Sequence, residues 1–268
     1  MIIKTLAENI SNIEDLGSEH GLSLFIETKH HKILFDTGAG ALFSENAAKM
    51  KVNLAEVELA IISHGHYDHG GGLKTFLNIN NKAKVYLHQK AFEKHYLNIA
   101  AGEKKDIGLD ETLLTHERLV FMQDRMYIDE ELELFSNVLG ERLRPSGNRY
   151  LLSKAGESFM LDDFAHEQNL ILNEDGKNVL VTGCAHNGIV NIIEHFRKEK
   201  NSTPDYIIGG FHLQDEQPDV VGEIGKYLME TKAKCYTCHC TGIESYKLLK
   251  AMLGENIEYL STGSQLIL

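Results

Sequence analysis

Long hydrophobic runs are missing from this chain. No apolar stretch approaches the roughly 18 residues that cross a bilayer. The N-terminal stretch, Met1 to Leu6, carries one lysine and turns polar at Glu8, whereas a secretory signal needs an apolar core there. These absences predict a protein that makes no membrane contact and is located in the cytoplasm.

Cysteine is also scarce. Three of the four cysteines are crowded between Cys235 and Cys240, so they cannot form a spread-out disulfide framework, which favours a reducing compartment. The run from Cys235 to His239 matches the C-x-x-C-H haem attachment motif. Covalent haem attachment takes place outside the cytoplasm, so we interpret this match as accidental. Together with Cys184 these cysteines could hold an iron–sulfur cluster or a structural zinc, although their spacing is not the usual one.

Positive charge is in short supply. The 268 residues include 27 Lys and Arg against 39 Asp and Glu, which gives a formal charge of −12, and no basic cluster is visible. Nucleic-acid binding depends on such clusters, so we expect no nucleic acid partner. The 43% hydrophobic content fits one domain over residues 1–268. A less regular stretch at about 91–162 is interpreted as an insertion that covers the pocket.

The chain does contain a dense group of metal-binding side chains. Directly after the apolar run Val57–Ile62, the sequence Ser-His-Gly-His-Tyr-Asp-His-Gly-Gly-Gly places three imidazoles and one carboxylate within six residues. Zn²⁺, Fe²⁺ and Mn²⁺ accept these donors. In a tight loop His64 and His66 would face one ion, and Asp68 and His69 would face a second. The motif therefore predicts a site for two divalent metal ions.

Hydrophobic periodicity and turn residues predict an α/β chain. One hairpin is expected from strands 22–28 and 32–35, and a second from strands 169–172 and 178–181 around an Asp-Gly turn. From residue 178 onward, strands and helices alternate in βαβα order. The other expected elements are helix 43–50, strand 57–62, helix 73–78, strand 84–88, helix 190–198, strand 206–208, helix 220–232 and strand 235–238.

The histidine motif resembles the signature of the metallo-β-lactamase superfamily. Further segments resemble one branch, which is named for 7,8-dihydropterin-6-methyl-4-(β-D-ribofuranosyl)aminobenzene 5′-phosphate synthase. They are Glu19-His20-Gly21-Leu22-Ser23, Leu34-Phe35-Asp36-Thr37-Gly38, Gly183-Cys184-Ala185-His186-Asn187-Gly188-Ile189, Gly209-Gly210-Phe211-His212-Leu213 and His239-Cys240-Thr241-Gly242. The resemblance implies a four-layered αβ/βα sandwich with metals at the sheet edges.

The resemblance also implies which residues complete the two metal shells. His186 would join the histidines of the first ion, and His239 would join the ligands of the second. Zinc is the expected metal, with iron or manganese as alternatives. The predicted metal ligands are His64, His66, Asp68, His69, His186 and His239.

Some positions stay open at this point. Most of the superfamily has an Asp that bridges the two metals where this chain has Cys184, so Cys184 is either a small buried residue or a ligand to the second metal. His166 lies near the place of the usual third histidine of the first site and is the alternative to His186. Asp36 is expected to hydrogen-bond a ligand histidine and fix its tautomer, and His20 is a further pocket candidate.

The function implied by the resemblance is a metal-dependent hydrolase. A metal-activated water would attack a small, anionic substrate of the phosphate-containing or ester type. Asp68 would orient that water and accept its proton, and His212 would be the partner of the leaving group or of an anionic substrate moiety. The alternatives are a transferase that condenses a dihydropterin with an aminobenzene ribotide, and an iron-based redox or electron-transfer protein.

Overall fold

A computed structural model of the protein describes residues 1–99 and 102–268. The chain divides into two compact units. Unit 1 comprises residues 1–123, 152–160 and 261–268, and unit 2 comprises residues 124–151 and 161–260. Each unit has its own seven-stranded sheet and its own hydrophobic core. The α/β class is confirmed, whereas the single domain over residues 1–268 stays a prediction.

Strands outnumber helices in the described residues. The strands are β1 (Ile2–Ala7), β2 (Ser23–Glu27), β3 (Lys32–Phe35), β4 (Leu59–Ile61), β5 (Lys84–His88), β6 (Lys94–Asn98), β7 (Lys104–Asp106), β8 (Leu119–Met122), β9 (Arg125–Tyr127), β10 (Leu132–Phe135), β11 (Leu151–Ala155), β12 (Ser158–Leu161), β13 (Asn169–Glu174), β14 (Lys177–Thr182), β15 (Tyr206–Gly209), β16 (Lys234–Thr237), β17 (Ile257–Tyr259) and β18 (Gln265–Ile267). The helices are α1 (Leu42–Lys49), α2 (Tyr67–Gly70), α3 (Leu73–Ile79), α4 (Ile189–Lys200), α5 (Pro218–Thr231) and α6 (Ile243–Leu253). Among the described residues, none of these helices combines the length and the apolar character that crossing a membrane requires.

The sheet of unit 1 has the strand order β18-β1-β2-β3-β4-β5-β8. The first predicted hairpin is confirmed as β2 and β3, which pair antiparallel and are closed by a hydrogen bond of 2.9 Å from Thr28 N to His31 O. β3, β4, β5 and β8 run parallel. Because parallel strands end at the same edge of a sheet, the residues that follow β3 and β4 come close together there. These residues are Asp36 and the histidine motif.

A second sheet of unit 1 is built from the stretch in which the sequence pattern was weak. Its order is β12-β11-β6-β7, and β6 pairs antiparallel with β7 in the register Tyr96↔Asp106. The region at about 91–162 is therefore rich in strands. Its role in covering a pocket stays a prediction.

Unit 2 has the strand order β17-β16-β15-β14-β13-β10-β9. The second predicted hairpin is confirmed as β13 and β14, whose turn contains Asp175 and Gly176 with φ of 52° and 73°, as a two-residue Asp-Gly turn requires. From β14 onward the strands are parallel and connected by α4 and α5. This confirms the predicted βαβα order and brings the ends of β14, β15 and β16 to one edge.

Gly209, the last residue of β15, tests how tightly this edge is packed. Its φ is +126°, and a Cβ atom would lie 1.9 Å from the Thr182 carbonyl oxygen of β14. We expect Gly209→Ala to lower the free energy of unfolding by about 3 kcal/mol or more, because a left-handed backbone and a backbone clash add up.

The matched control is Gly222→Ala in α5, where a Cβ atom meets nothing within 4 Å. This change is expected to raise stability by up to about 1 kcal/mol through helix propensity. Urea unfolding followed by circular dichroism measures both values. Equal stabilities of the two variants would contradict the packing argument.

Candidate metal centre

The histidine motif begins just after β4, and its second half is helical. Tyr67–Gly70 form α2, with His66 as the N-cap residue. Asp68 and His69 therefore lie on a helical turn instead of the loop expected from the sequence. The turn closes because the backbone N–H groups of His69 and Gly70 both donate to His66 O at 3.1 Å.

Unit 1 brings its four predicted ligands together in its interior. His64 and His69 are fully buried, and His66 and Asp68 are nearly so. The ring centroid of His64 lies 4.1 Å from that of His69 and 4.6 Å from that of His66. The Asp68 Oδ2 and His69 Nε2 atoms are 3.6 Å apart. Two donors on a tetrahedral zinc are about 3.3 Å apart, so this spacing suits one ion.

A hydrogen-bond chain through Asp36 sets the tautomers of two of these rings. Ser63 Oγ is 2.7 Å from Asp36 Oδ2 and 2.8 Å from His64 Nδ1. The hydroxyl has one proton and donates it to the carboxylate, so the His64 Nδ1–H must be the donor to Ser63. His69 Nδ1–H donates to the same carboxylate oxygen at 2.6 Å. Both rings therefore present the Nε2 lone pair, and the predicted hydrogen bond between Asp36 and a histidine of the motif is confirmed.

The segment with His20 packs against the turn that contains Asp68. The Asp68 carbonyl oxygen accepts a hydrogen bond of 3.1 Å from Leu22 N, and a Cβ atom on Gly21 would lie 2.5 Å from that oxygen. His20 Nε2 is 3.3 Å from Asp68 Oδ2, although the His20 side chain is 59% exposed. His20, the further pocket candidate, thus contacts the carboxylate of Asp68, the predicted catalytic residue.

His95 is a neighbour of the motif that sequence reasoning missed. It is buried on β6, and its ring centroid lies 5.6 Å from that of His66. Potential ligand atoms of these two residues come within 4.8 Å of each other. A Cβ atom on Gly65 would lie 2.8 Å from His95 Nε2, so the glycine between the first two motif histidines makes room for this ring. No local pattern around position 95 signals this role.

Unit 2 gathers its predicted site residues at the ends of three parallel strands. His186 follows β14, His212 follows β15, and His239 follows β16. The ring centroids of His186 and His212 are 4.3 Å apart. His212 and His239 have positive φ values, 51° and 52°. Such conformations cost about 1–3 kcal/mol each and are concentrated at functional sites.

His186 is held by residues that the sequence analysis did not select. Its Nδ1–H donates to Asn148 Oδ1 at 3.0 Å, and Asn148 Nδ2 donates to the His186 carbonyl at 2.8 Å. The ring also stacks on Phe164, with centroids 4.4 Å apart and planes 7° apart. Glu167 accepts the His186 backbone N–H at 2.6 Å, and burial raises the pKa of this carboxyl. His186 therefore presents Nε2, the nitrogen that a metal would use.

The alternative ligand His166 is buried in the same unit. Its Nε2 is 3.4 Å from Asp162 Oδ2, and the two residues have potential ligand atoms within 4.8 Å of each other. The choice between His166 and His186 stays a prediction.

The cysteines of unit 2 differ in their surroundings. Cys184, His239 and Cys240 have potential ligand atoms within 4.8 Å of one another. Burial acts to raise the pKa of the Cys240 thiol, but a hydrogen bond with Cys184 and the nearby imidazoles of His239 and His212 together hold it well below its usual range. Burial alone raises the pKa of Cys235 to about 12. Cys240 therefore lies beside polar groups, whereas Cys235 lies in the hydrophobic core.

The donors of unit 1 fit a divalent metal ion. Zinc sites take neutral imidazoles and carboxylates, and their histidines characteristically donate the second ring N–H to a carboxylate or another acceptor. His64 and His69 have this arrangement through Ser63 and Asp36, next to the Asp68 carboxylate. The identity and the number of the metals stay predictions.

Known proteins resemble this chain over most of its length. The model of the metallo-β-lactamase superfamily matches residues 16–196, a range that includes the histidine motif. The 7,8-dihydropterin-6-methyl-4-(β-D-ribofuranosyl)-aminobenzene-5′-phosphate synthase of Methanocaldococcus jannaschii is 27% identical over 281 residues, covering 97% of this chain and 94% of its own. The uncharacterized protein MJ0448 of the same organism is 28% identical over 256 residues, with 94% of each chain covered.

A solved structure extends the similarity to the whole chain. The crystal structure of Tm1679, described as a metal-dependent hydrolase of the β-lactamase superfamily, has a TM-score of 0.86 and 28% identity, covering 100% of this chain and 99% of its own. The resemblance inferred from the motifs is confirmed. The family model spans more than half of the 268 residues, and the chain therefore belongs to the metallo-β-lactamase superfamily and has its fold.

Proposed function

We propose that this protein is a metal-dependent hydrolase that acts on a small, anionic substrate of the phosphate-containing or ester type. The observation that carries the proposal is the hydrogen-bond chain through Ser63 and Asp36, which directs the Nε2 lone pairs of His64 and His69 to a metal. Bound divalent ions, zinc ahead of iron or manganese, supply Lewis-acid stabilisation of developing negative charge and lower the pKa of water.

The protein's own groups have distinct roles in this proposal. Asp68 orients the attacking water and accepts its proton. His20, with Nε2 at 3.3 Å from Asp68 Oδ2 and a largely exposed side chain, offers that proton a route to solvent. His212 donates a proton to the leaving group or binds an anionic part of the substrate. His186 and His239 stay the proposed further ligands.

The second candidate function is a condensation. In this reaction a carbon–nitrogen bond forms between a dihydropterin diphosphate and an aminobenzene ribotide, and pyrophosphate leaves. The observation that favours it is the 27% identity to a named synthase over 97% of this chain. Both reactions need cations that hold phosphate oxygens, so the donor set supports either. An iron-based redox role is the third proposal.

The partners and the location remain proposals of the same kind. We expect a small-molecule substrate, no nucleic acid or membrane partner, and a cytoplasmic location. The formal charge of −12 supports the expectation of no nucleic acid partner.

His66→Ala tests the metal site directly. We expect the metal content after dialysis, measured by elemental analysis, to fall by at least one ion per chain. Turnover of any hydrolysed substrate should fall by more than about 100-fold, because even the outer-shell partners of a metal contribute about 10- to 100-fold.

The control for this experiment is His30→Ala, which removes an exposed histidine. Zinc-loaded protein that hydrolyses nothing in a panel of phosphodiesters, phosphate esters, thioesters and lactones would overturn the hydrolase, and so would full activity of His66→Ala. Iron as the main metal, with a reversible change of absorbance on reduction, would favour the redox proposal.

Asp36→Asn tests the hydrogen-bond chain. An amide presents an N–H₂ group where Ser63 and His69 need an acceptor, so the His69 tautomer is no longer fixed. We expect zinc affinity, measured by competition with a chromogenic chelator, to fall by about 10- to 100-fold. Ser63→Ala, which breaks only the branch to His64, should have a smaller effect. Asp15→Asn at an exposed position is the control, and an Asp36→Asn affinity within the error of this control would refute the role of the chain.

Product analysis separates the two enzyme proposals. In isotopically labelled water a hydrolase introduces the label into its product, whereas condensation releases unlabelled pyrophosphate and joins the two substrates. We expect the label in the product, because His64, His69 and Asp68 are oriented for an ion that activates water. A dihydropterin that raises the melting temperature of the protein and is joined to the aminobenzene ribotide would instead establish the transferase.

A further inference from the structure

Two buried thiols lie beside a proposed metal ligand in unit 2. Cys184 and Cys240 are 3% and 5% exposed, and together with His239 they have potential ligand atoms within 4.8 Å of one another. Neither thiol is in a disulfide. The residues are far apart in sequence, so the fold itself assembles the group.

Three neighbouring strands position the group. Cys184 follows β14, and Cys240 belongs to the 3₁₀ turn His239–Thr241 that follows β16. The thiol of Cys240 donates to the Cys184 carbonyl oxygen at 3.4 Å. Gly210 follows β15, the strand between them, and a Cβ atom there would lie 2.4 Å from Cys240 Sγ. The second glycine of the Gly-Gly-Phe-His segment thus leaves the volume that this sulfur occupies.

The backbone beside each thiol is strained. Ala185, directly after Cys184, has φ of 60°, and His239, directly before Cys240, has φ of 52°. A non-glycine residue in this conformation costs about 1–3 kcal/mol and is maintained where the surrounding structure requires it. Both strained residues lie directly beside a cysteine of the group, and strained backbone is concentrated at functional sites.

Cys235 shows what a packing cysteine looks like in this protein. It is fully buried among apolar residues of the unit 2 core. Its Sγ atom donates a long hydrogen bond of 3.9 Å to Ala233 O. Buried cysteines commonly serve as small hydrophobes of this type. Cys184 and Cys240 differ from Cys235 because each has a second thiol and the imidazole of His239 within 4.8 Å.

We propose that Cys184 and Cys240 bind a divalent metal ion as thiolates, together with His239. This inference rests on the proposed function, because it concerns the ion assigned to His239. On binding, each thiol loses its proton to the solvent and forms a sulfur–metal bond, so two protons are released and no electron is transferred. Two thiolates give the site a preference for Zn²⁺, Co²⁺ or Fe²⁺ over Mn²⁺ and Mg²⁺.

The distances are compatible with such a site. Around a tetrahedral zinc with sulfur at about 2.3 Å, two sulfur atoms are about 3.8 Å apart. The present donor atoms lie within 4.8 Å of one another. The two sulfur atoms therefore need to approach each other by about 1 Å at most.

Cobalt substitution tests the proposal. Metal-free full-length protein is titrated with Co²⁺ without oxygen, and the near-ultraviolet thiolate-to-cobalt charge-transfer band is recorded. We expect the band in the wild type, a reduction to about half in Cys184→Ala and in Cys240→Ala, and its loss in the double variant. Cys235→Ala, the matched control, should keep the full band. Excess Mn²⁺ should leave the band unchanged, and Zn²⁺ should abolish it.

The wild-type spectrum alone can overturn the inference, whatever the stability of the variants. Cobalt that binds without a charge-transfer band excludes thiolate ligation. A band that persists in the double variant, or that disappears in Cys235→Ala, comes from other thiols and would overturn the inference. The outcome is separable from that of the proposed function. A thiolate band in a protein without hydrolytic activity would support the metal site alone, and hydrolysis without the band would refute the thiolate site alone.

Discussion

The buried carboxylate of Asp36 is the constraint on which the arrangement of the histidine motif in unit 1 depends. A charge inside a protein is costly unless its oxygens are hydrogen-bonded. Asp36 accepts hydrogen bonds from Ser63 N, Ser63 Oγ and His69 Nδ1 at 2.6–2.7 Å. Its own φ of 60° turns the chain at the end of β3 toward these donors. One carboxylate thereby joins two parallel strands and orients two imidazoles, and its negative charge makes the rings better ligands for a cation.

The sequence predicted those parts of the fold that are determined by residues close together in the chain. The hairpin of β13 and β14 follows from an Asp-Gly pair that can adopt the positive φ values of its turn. The β14–α4–β15–α5–β16 order follows from alternating apolar periods. The proposed ligands His64, His66 and His69 could be grouped from the sequence because the chain itself holds them within six residues, so no long-range contact was needed to recognise them as a group.

The parts that could not be predicted are those with tertiary causes. His95 and Asn148 lie in the stretch with weak periodicity, and each acquires its role only when a strand or a 3₁₀ turn brings it to a histidine. The helical turn of α2 was missed for a related reason. The two hydrogen bonds that close it are accepted by the backbone carbonyl of His66. From the sequence, His66 was considered only as a metal ligand. The hydrogen bond of Asp36 to a histidine was predicted from the resemblance to the family, because the sequence pattern alone would also fit a simple turn residue.

The donor chemistry of the two units differs, and this difference has a physical consequence. Unit 1 offers imidazoles and a carboxylate, which accept several divalent ions. Unit 2 adds two thiols, and the resemblance to the superfamily implies that Cys184 replaces a bridging carboxylate. Two thiolates cancel the charge of a divalent ion, whereas neutral imidazoles leave it intact. An ion on Cys184 and Cys240 would therefore be a weaker Lewis acid, suited to holding structure or binding a substrate anion loosely. An ion on His64 and His66 would be the stronger electrophile, which is what the proposed hydrolase requires.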